Sequence, residues 1–300
     1  MQRHHLSPSQ YHALTFNPAK LPDLVAAGPV SASVLSKSRN PLVFLLSINK
    51  VHSPTADMEW GSLIDVMWTT PELFGREYVV LPPDAPQRPT DAMLAAAKPS
   101  QNSLDRQRWW AEFEAVSRNK KVITADLHNE ARAAINMLNR NPLALELWQA
   151  SEKQVALVGD SPILPGTQAK CLFDLLPTAG PFVDAIVDLK ETNDVSAYGM
   201  VKTTHTFDYV TKMGYYGILA EAAGFGPRPR GILIWQCSSF PYDVHVREID
   251  PADMRIGRQT AINRVNALSK LDPARLERHF DTQLSTLSLN DWQRTQMLSQ

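Results

Sequence analysis

The chain has 300 residues, 44% hydrophobic and 20% charged, which is enough to bury one large core or two smaller ones and too apolar for global disorder. Thirty Lys and Arg against 31 Asp and Glu leave a net charge of −1, so any grip on nucleic acid must come from a local cleft or a ring. Cys171 and Cys237 are too few for a disulfide framework or a four-cysteine iron–sulfur cluster, no apolar run nears the roughly 20 residues of a membrane span, and MQRHHLSPSQ lacks the apolar stretch of a secretory signal, so a cytoplasmic protein is expected.

Pro18, Pro22 and Pro29 break any long helix in the first 30 residues, and His4 and His5 read as an unstructured terminus. Ser31 and Ser33 ahead of Val34 and Leu35 predict a short capped helix that Pro41 stops. Trp60, Leu63, Ile64 and Met67 recur at helical spacing and predict a helix over 58–68, ended by Pro71. Residues 81–103, rich in Pro, Ala, Ser and Asn, predict a surface loop. Helices follow at 104–117, 125–139 and 142–150. The pattern then changes to short strands over 155–158, 169–175, 183–189, 231–237 and 243–249, with a helix at 205–223 between the third and fourth. From Pro251 the chain turns helical again. The sum is an α/β (α+β) protein with a helical N-terminal part and a mixed central sheet flanked by helices.

The chemistry concentrates in Lys170-Cys171-Leu172-Phe173-Asp174, a Pro-Thr-Ala-Gly-Pro turn from Pro177 to Pro181, and Ile186-Val187-Asp188-Leu189-Lys190. Strand alternation puts Asp188 and Lys190 on one face, and the turn makes the two strands antiparallel neighbours, with Asp174 beside Asp188. Two carboxylates form a hard oxygen site for Mg²⁺ or Mn²⁺, which can polarise a phosphodiester while the lysine orients water or stabilises charge. The same spacing also suits a strand whose polar residues face solvent, with Lys190 simply paired to Asp188.

Two acidic residues and a lysine on adjacent strands resemble the PD-(D/E)xK nuclease core, and the ordered set of segments resembles the phage-type exodeoxyribonuclease VIII (RecE-like) family over residues 30 to 270. Besides the Asp188-Leu189-Lys190 motif, these segments are Ser31-Ala32-Ser33 with Asn40-Pro41, then Met58 to Asp65 with Pro71-Glu72-Leu73-Phe74 and Tyr78-Val79-Val80, and finally Pro241-Tyr242-Asp243 with Ile249-Asp250. The resemblance implies a nuclease core over 58–270 with a variable loop at 81–103, an N-terminal extension over 1–57 and a helical tail over 271–300. It implies that Asp174, Asp188, Asp65 and the Leu189 carbonyl bind Mg²⁺ or Mn²⁺, with Lys190 the catalytic lysine beside Asp174 and Asp188. Thr211 and Tyr215, standing for the family's Gln-x-x-x-Tyr, and Lys170 are the implied DNA-binding residues. The implied activity is 5′→3′ exonuclease action on double-stranded DNA ends, yielding 3′ single strands for recombination with a single-strand annealing recombinase, by a homo-oligomeric ring acting in a bacterial host or encoded by a phage. The departures are Leu172-Phe173 for Arg-Pro, Glu191 for Thr and Thr211 for Gln. They leave open an endonuclease, a single-strand exonuclease or a catalytically impaired DNA-binding or scaffold protein.

Glu152 is a further candidate acidic ligand. Trp109, Trp110 and Phe113 read as core, with base stacking as the alternative, and Tyr209 and Tyr216 as packing residues. Arg106, Arg108, Arg118, Arg228, Arg230, Arg255, Arg258 and Arg264 read as solvated faces able to meet phosphates. Gly224-Phe225-Gly226 lacks the lysine and the strand-to-helix context of a phosphate loop.

Overall fold

The computed structural model describes residues 1–4, 6, 8–46, 53–227 and 229–279; His5, Arg228 and most of the expected C-terminal tail lie outside the described residues. In chain order the strands are β1 (Gln2–His4), β2 (Tyr78–Leu81), β3 (Lys121–Thr124), β4 (Ser151–Asp160), β5 (Gln168–Pro177), β6 (Ala185–Thr192), β7 (Arg230–Cys237) and β8 (Val244–Glu248). Six of them form one mixed sheet in the order β1-β4-β5-β6-β7-β8, and β2 pairs with β3 in a separate parallel ribbon. Within the large sheet only β6 and β7 run parallel, and the crossover this requires carries two helices, Ala197–Thr206 and Tyr209–Ala222. The expected α+β architecture is the observed one. Among the described residues no helix is long and apolar enough to cross a membrane.

Several elements depart from expectation, among them a short helix, Asp91–Leu94, inside the expected 81–103 loop and the unexpected strand Lys121–Thr124. His4 belongs to β1, paired with Ala156 of β4, because the strand's backbone finds an open sheet edge to bond to. The single helix read over 205–223 is two, broken where Asp208 takes the left-handed conformation at φ 62°. Elsewhere the punctuation works as physical chemistry requires. Ser31 caps Ala32–Lys37 and Thr55 caps Ala56–Thr69, whereas Pro41, expected to stop the first of these, instead opens a further helix, Pro41–Leu46, since a first-turn proline lacks only an N–H that would have no partner.

The sheet separates two apolar layers. On one face Phe173, Ile186, Leu233 and Trp235 meet the Tyr209–Ala222 and Pro251–Leu268 helices; on the other Val187, Leu189, Ile232 and Ile234 meet Ala56–Thr69, Ala125–Arg140 and Pro142–Ala150. This alternation along β6 sends Asp188 and Lys190 toward the first face and Leu189 toward the second. The Tyr209–Ala222 helix is set by backbone contact with Pro251–Leu268. A Cβ on Gly214 would sit 2.3 Å from the Arg258 nitrogen, and one on Gly257 would sit 2.1 Å from the Val210 carbonyl oxygen. Gly257→Ala is therefore expected to cost about 3 kcal/mol in urea unfolding, because backbone cannot yield as a side-chain tip can. A variant as stable as wild type would mean that the helices can separate freely.

Candidate active site

β5 and β6 are in antiparallel register at Leu175 and Val187 and diverge beyond it. Where the ladder opens, the Asp174 carboxylate replaces a strand carbonyl and accepts the Leu189 N–H at 2.8 Å. This local opening lets Asp174 and Asp188 lie side by side. Asp188 is completely buried and carries two ammonium groups: Lys212 donates to its Oδ1 at 2.9 Å, and Lys190 is paired with its Oδ2. Lys190 also donates to the Leu189 carbonyl at 2.6 Å and lies 5.1 Å from the Tyr209 ring centre.

Charge is divided unevenly across the pair. Burial pushes the Asp174 carboxyl well above its ordinary range, with the Asp188 and Asp65 charges adding to the shift. Burial also opposes ionisation of Asp188, but the Lys190 and Lys212 ammoniums and a hydrogen bond from Asp174 overcome it and hold Asp188 below the usual carboxylate range. Burial lowers both lysines' proton affinity, and Asp188 more than restores it, so both stay charged.

Of these groups Asp174, Lys212 and Tyr209 line a cavity of about 470 Å³, while Asp188 and Lys190 do not. Asp65 is on its wall, four residues from Gly61 on the Ala56–Thr69 helix, where the missing side chain makes room for the Glu191 carboxylate. Asp65 accepts from Gln154 Nε2 at 2.9 and 3.1 Å and from the Thr69 hydroxyl at 3.2 Å. Burial, reinforced by Glu191, pushes the Asp65 carboxyl up to about 7. The unfolded chain ionises this group near 3.8 and the folded chain near 7, so its contribution to stability is full below pH 3.8 and is lost as pH rises to about 7. Asp65→Asn is expected to remove that part of the decline in metal-free thermal unfolding, so that its advantage over wild type grows between pH 4 and 7. A constant offset across that range would mean that Asp65 titrates normally.

The structure brings Asp174, Asp188, Lys190 and the Leu189 carbonyl together and places Asp65 on the cavity that Asp174 lines. Asp65 is engaged by Gln154 and Thr69, and among the described residues no three His, Cys, Asp or Glu side chains converge closely enough to enclose a metal. Three of the DNA-contact expectations fail on burial. The Tyr215 hydroxyl is in the core and donates to the Val30 carbonyl at 2.8 Å. The Thr211 hydroxyl donates to Asp208 at 2.7 Å, and Lys170, although on the cavity wall, has its ammonium taken by the Tyr11 and Leu14 carbonyls at 2.9 and 2.6 Å. The pair on the cavity is one residue further along the same helix, Lys212 and Tyr216, with Tyr209 beside them, so the two tyrosines read as packing residues also line the site.

Sequence reasoning missed Lys212, Gln154 and the position of Glu191. Lys212 and Tyr216 had the same four-residue spacing as Thr211 and Tyr215, so the signal was present but degenerate. Gln154 faces Asp174 across β4 and β5 between the pairs Lys153–Leu175 and Val155–Phe173, with its backbone at φ 51°. Glu152 does not line the cavity. Phe113 is buried, and Trp109 and Trp110 pack with it on the Gln101–Ser117 helix, where Trp110 donates to the Pro86 carbonyl of the 81–103 loop at 2.9 Å. Arg258 and Arg264 are paired with Glu221 and Asp208, and Arg230 with Glu248 and Asp184.

Neither a protein-family model nor a curated protein matches the chain. Its architecture is similar to a solved structure from Eubacterium rectale described as a "putative exonuclease", with a TM-score of 0.54 and 12% identity over 98% of each chain. The likeness spans 98% of each chain and shows that the two share a fold.

Proposed function

We propose that this chain is a metal-dependent deoxyribonuclease, an exonuclease of the exodeoxyribonuclease VIII (RecE-like) kind that degrades duplex DNA from its ends with 5′→3′ polarity. The observation that carries the reading is the fully buried, ionised Asp188 with Lys190 paired to it, beside a half-buried Asp174 that lines an open cavity. An ionised carboxylate as deep as Asp188, set beside a second carboxyl group, is costly to bury for structural reasons alone, which favours a catalytic role over a solvated strand face. The nuclease-like neighbour agrees with that role.

The donor set fits a hard divalent cation. Asp174, Asp188 and the Leu189 carbonyl offer only oxygen, and the place is already attractive to cations, since two ammoniums occupy it. Mg²⁺ or Mn²⁺ held there would supply Lewis-acid polarisation of the phosphodiester and a more acidic bound water. The chain's own residues do the rest. Lys190, only 12% exposed and pinned by Asp188, the Leu189 carbonyl and the Tyr209 ring, presents a fixed positive charge to a phosphoryl oxygen as negative charge develops on it. Asp188 keeps that lysine charged. Lys37, on the exposed wall of the cavity, extends the positive surface along which a phosphate backbone would lie. On this reading a closed homo-oligomer threaded by DNA would retain a chain of net charge −1 on its substrate, and the 3′ strand it leaves would pass to an annealing recombinase.

The test uses linear and covalently closed duplexes of one sequence, with Mg²⁺ or Mn²⁺. Nucleotide release from the linear form alone is expected, starting at 5′-labelled ends and persisting in long runs after a heparin trap is added. Cutting of the closed circle would make the protein an endonuclease, and no cleavage of either would overturn the nuclease reading.

A further inference from the structure

Asp188 is met by a lysine at each oxygen, but the two lysines are not equivalent. Lys190 is two residues along the same strand face, only 12% exposed, and is held as well by the Leu189 carbonyl and the Tyr209 ring. Lys212 reaches in from the Tyr209–Ala222 helix, lies 5.1 Å from the Tyr216 ring centre and ends 2.9 Å from Asp188 Oδ1. Its side chain keeps 24% of its surface exposed on the cavity, so it can swing aside without disturbing the core. An ammonium tethered at that oxygen is a monovalent cation supplied by the chain itself.

A carboxylate pair that holds two divalent ions must share its oxygens between them and find further anionic ligands on the outer side of each ion. Among the described residues no three acidic, histidine or cysteine side chains converge to do so. Asp65, the nearest further candidate on the cavity, is engaged by Gln154 and Thr69. The position beside Asp188 Oδ1 is the one Lys212 fills, and a divalent ion placed next to an ammonium there would be repelled at close range.

We propose that Lys212 is a built-in cation that occupies a second-ion position at the carboxylate pair, so that this site takes one divalent ion and Lys212 competes with ions for Asp188. The proposal rests on the metal-binding reading above and specifies its stoichiometry. Lys212→Met keeps the length of the stem and removes the charge; Lys212→Arg keeps the charge.

Mn²⁺ titrations of the full chain without DNA, followed by electron paramagnetic resonance of the free ion, count sites and affinities independently of turnover. One site is expected for wild type and for Lys212→Arg, and for Lys212→Met a tenfold or greater gain in affinity or a second bound ion. Should Lys212→Met fail to fold, Lys212→Gln, which can still donate to Asp188, serves in its place with the same expected gain. Equal stoichiometry and affinity in the charged and uncharged variants would overturn the proposal and leave the metal site standing. No Mn²⁺ bound by any of them would overturn the metal-binding reading and the proposal together.

Discussion

On the proposed function, Asp188→Asn is expected to reduce cleavage of linear duplex DNA by about 1000-fold, because it removes the ionised carboxylate to which both lysines are tied and which would hold the divalent ion. It should also destabilise the protein. Asp188 is fully buried, and its loss would leave the ammoniums of Lys190 and Lys212 facing each other with no fixed negative charge between them. Removing one member of such a buried set costs about 3 kcal/mol. The two consequences separate in a second variant: Asp188→Asn with Lys212→Met deletes one charge of each sign and should recover part of the stability in urea unfolding, while cleavage stays lost. The acid limb of stability has the same origin. With its folded pKa held below the ordinary 3.8, Asp188 contributes stability that is present above that value and lost as pH falls through the folded one. A purified Asp188→Asn protein with wild-type cleavage in Mg²⁺ would show that the chemistry lies elsewhere.

Lys190→Met should lower single-turnover cleavage by about 100-fold while DNA affinity, measured by fluorescence anisotropy, changes little. The physical reason is the division of positive charge in the site. Binding can draw on Lys37 and Lys212 as well, but only Lys190 is held rigidly, by Asp188, the Leu189 carbonyl and the Tyr209 ring, at the ionised carboxylate. Mn²⁺ should still bind, since the methionine leaves all the carboxylate and carbonyl oxygens in place. Loss of Mn²⁺ binding in calorimetry would make Lys190 a structural support of the ion site, and an unchanged cleavage rate would remove it from the chemistry.

The sequence by itself determined the features with a short period. Apolar alternation placed β4 to β8 to within a few residues, and the same period of two put Asp188 and Lys190 on one side of β6. The turn between Pro177 and Pro181 likewise implied the antiparallel pairing that brings Asp174 to Asp188, because a connection that short allows little else. Proline and capping residues bounded the helices for equally local reasons. The rotation of a helix about its own axis is not local. Thr211 with Tyr215 and Lys212 with Tyr216 are equivalent as patterns, and the choice fell to contacts more than 40 residues away: the Gly214–Gly257 approach and the Tyr215 hydroxyl on Val30. The same holds for Gln154, which meets Asp65 across 89 positions of sequence, and for the Gly61 gap that admits Glu191. Only tertiary packing decided that Lys212 would face Asp188, because spacing along a chain specifies which residues share a face and not what that face will meet.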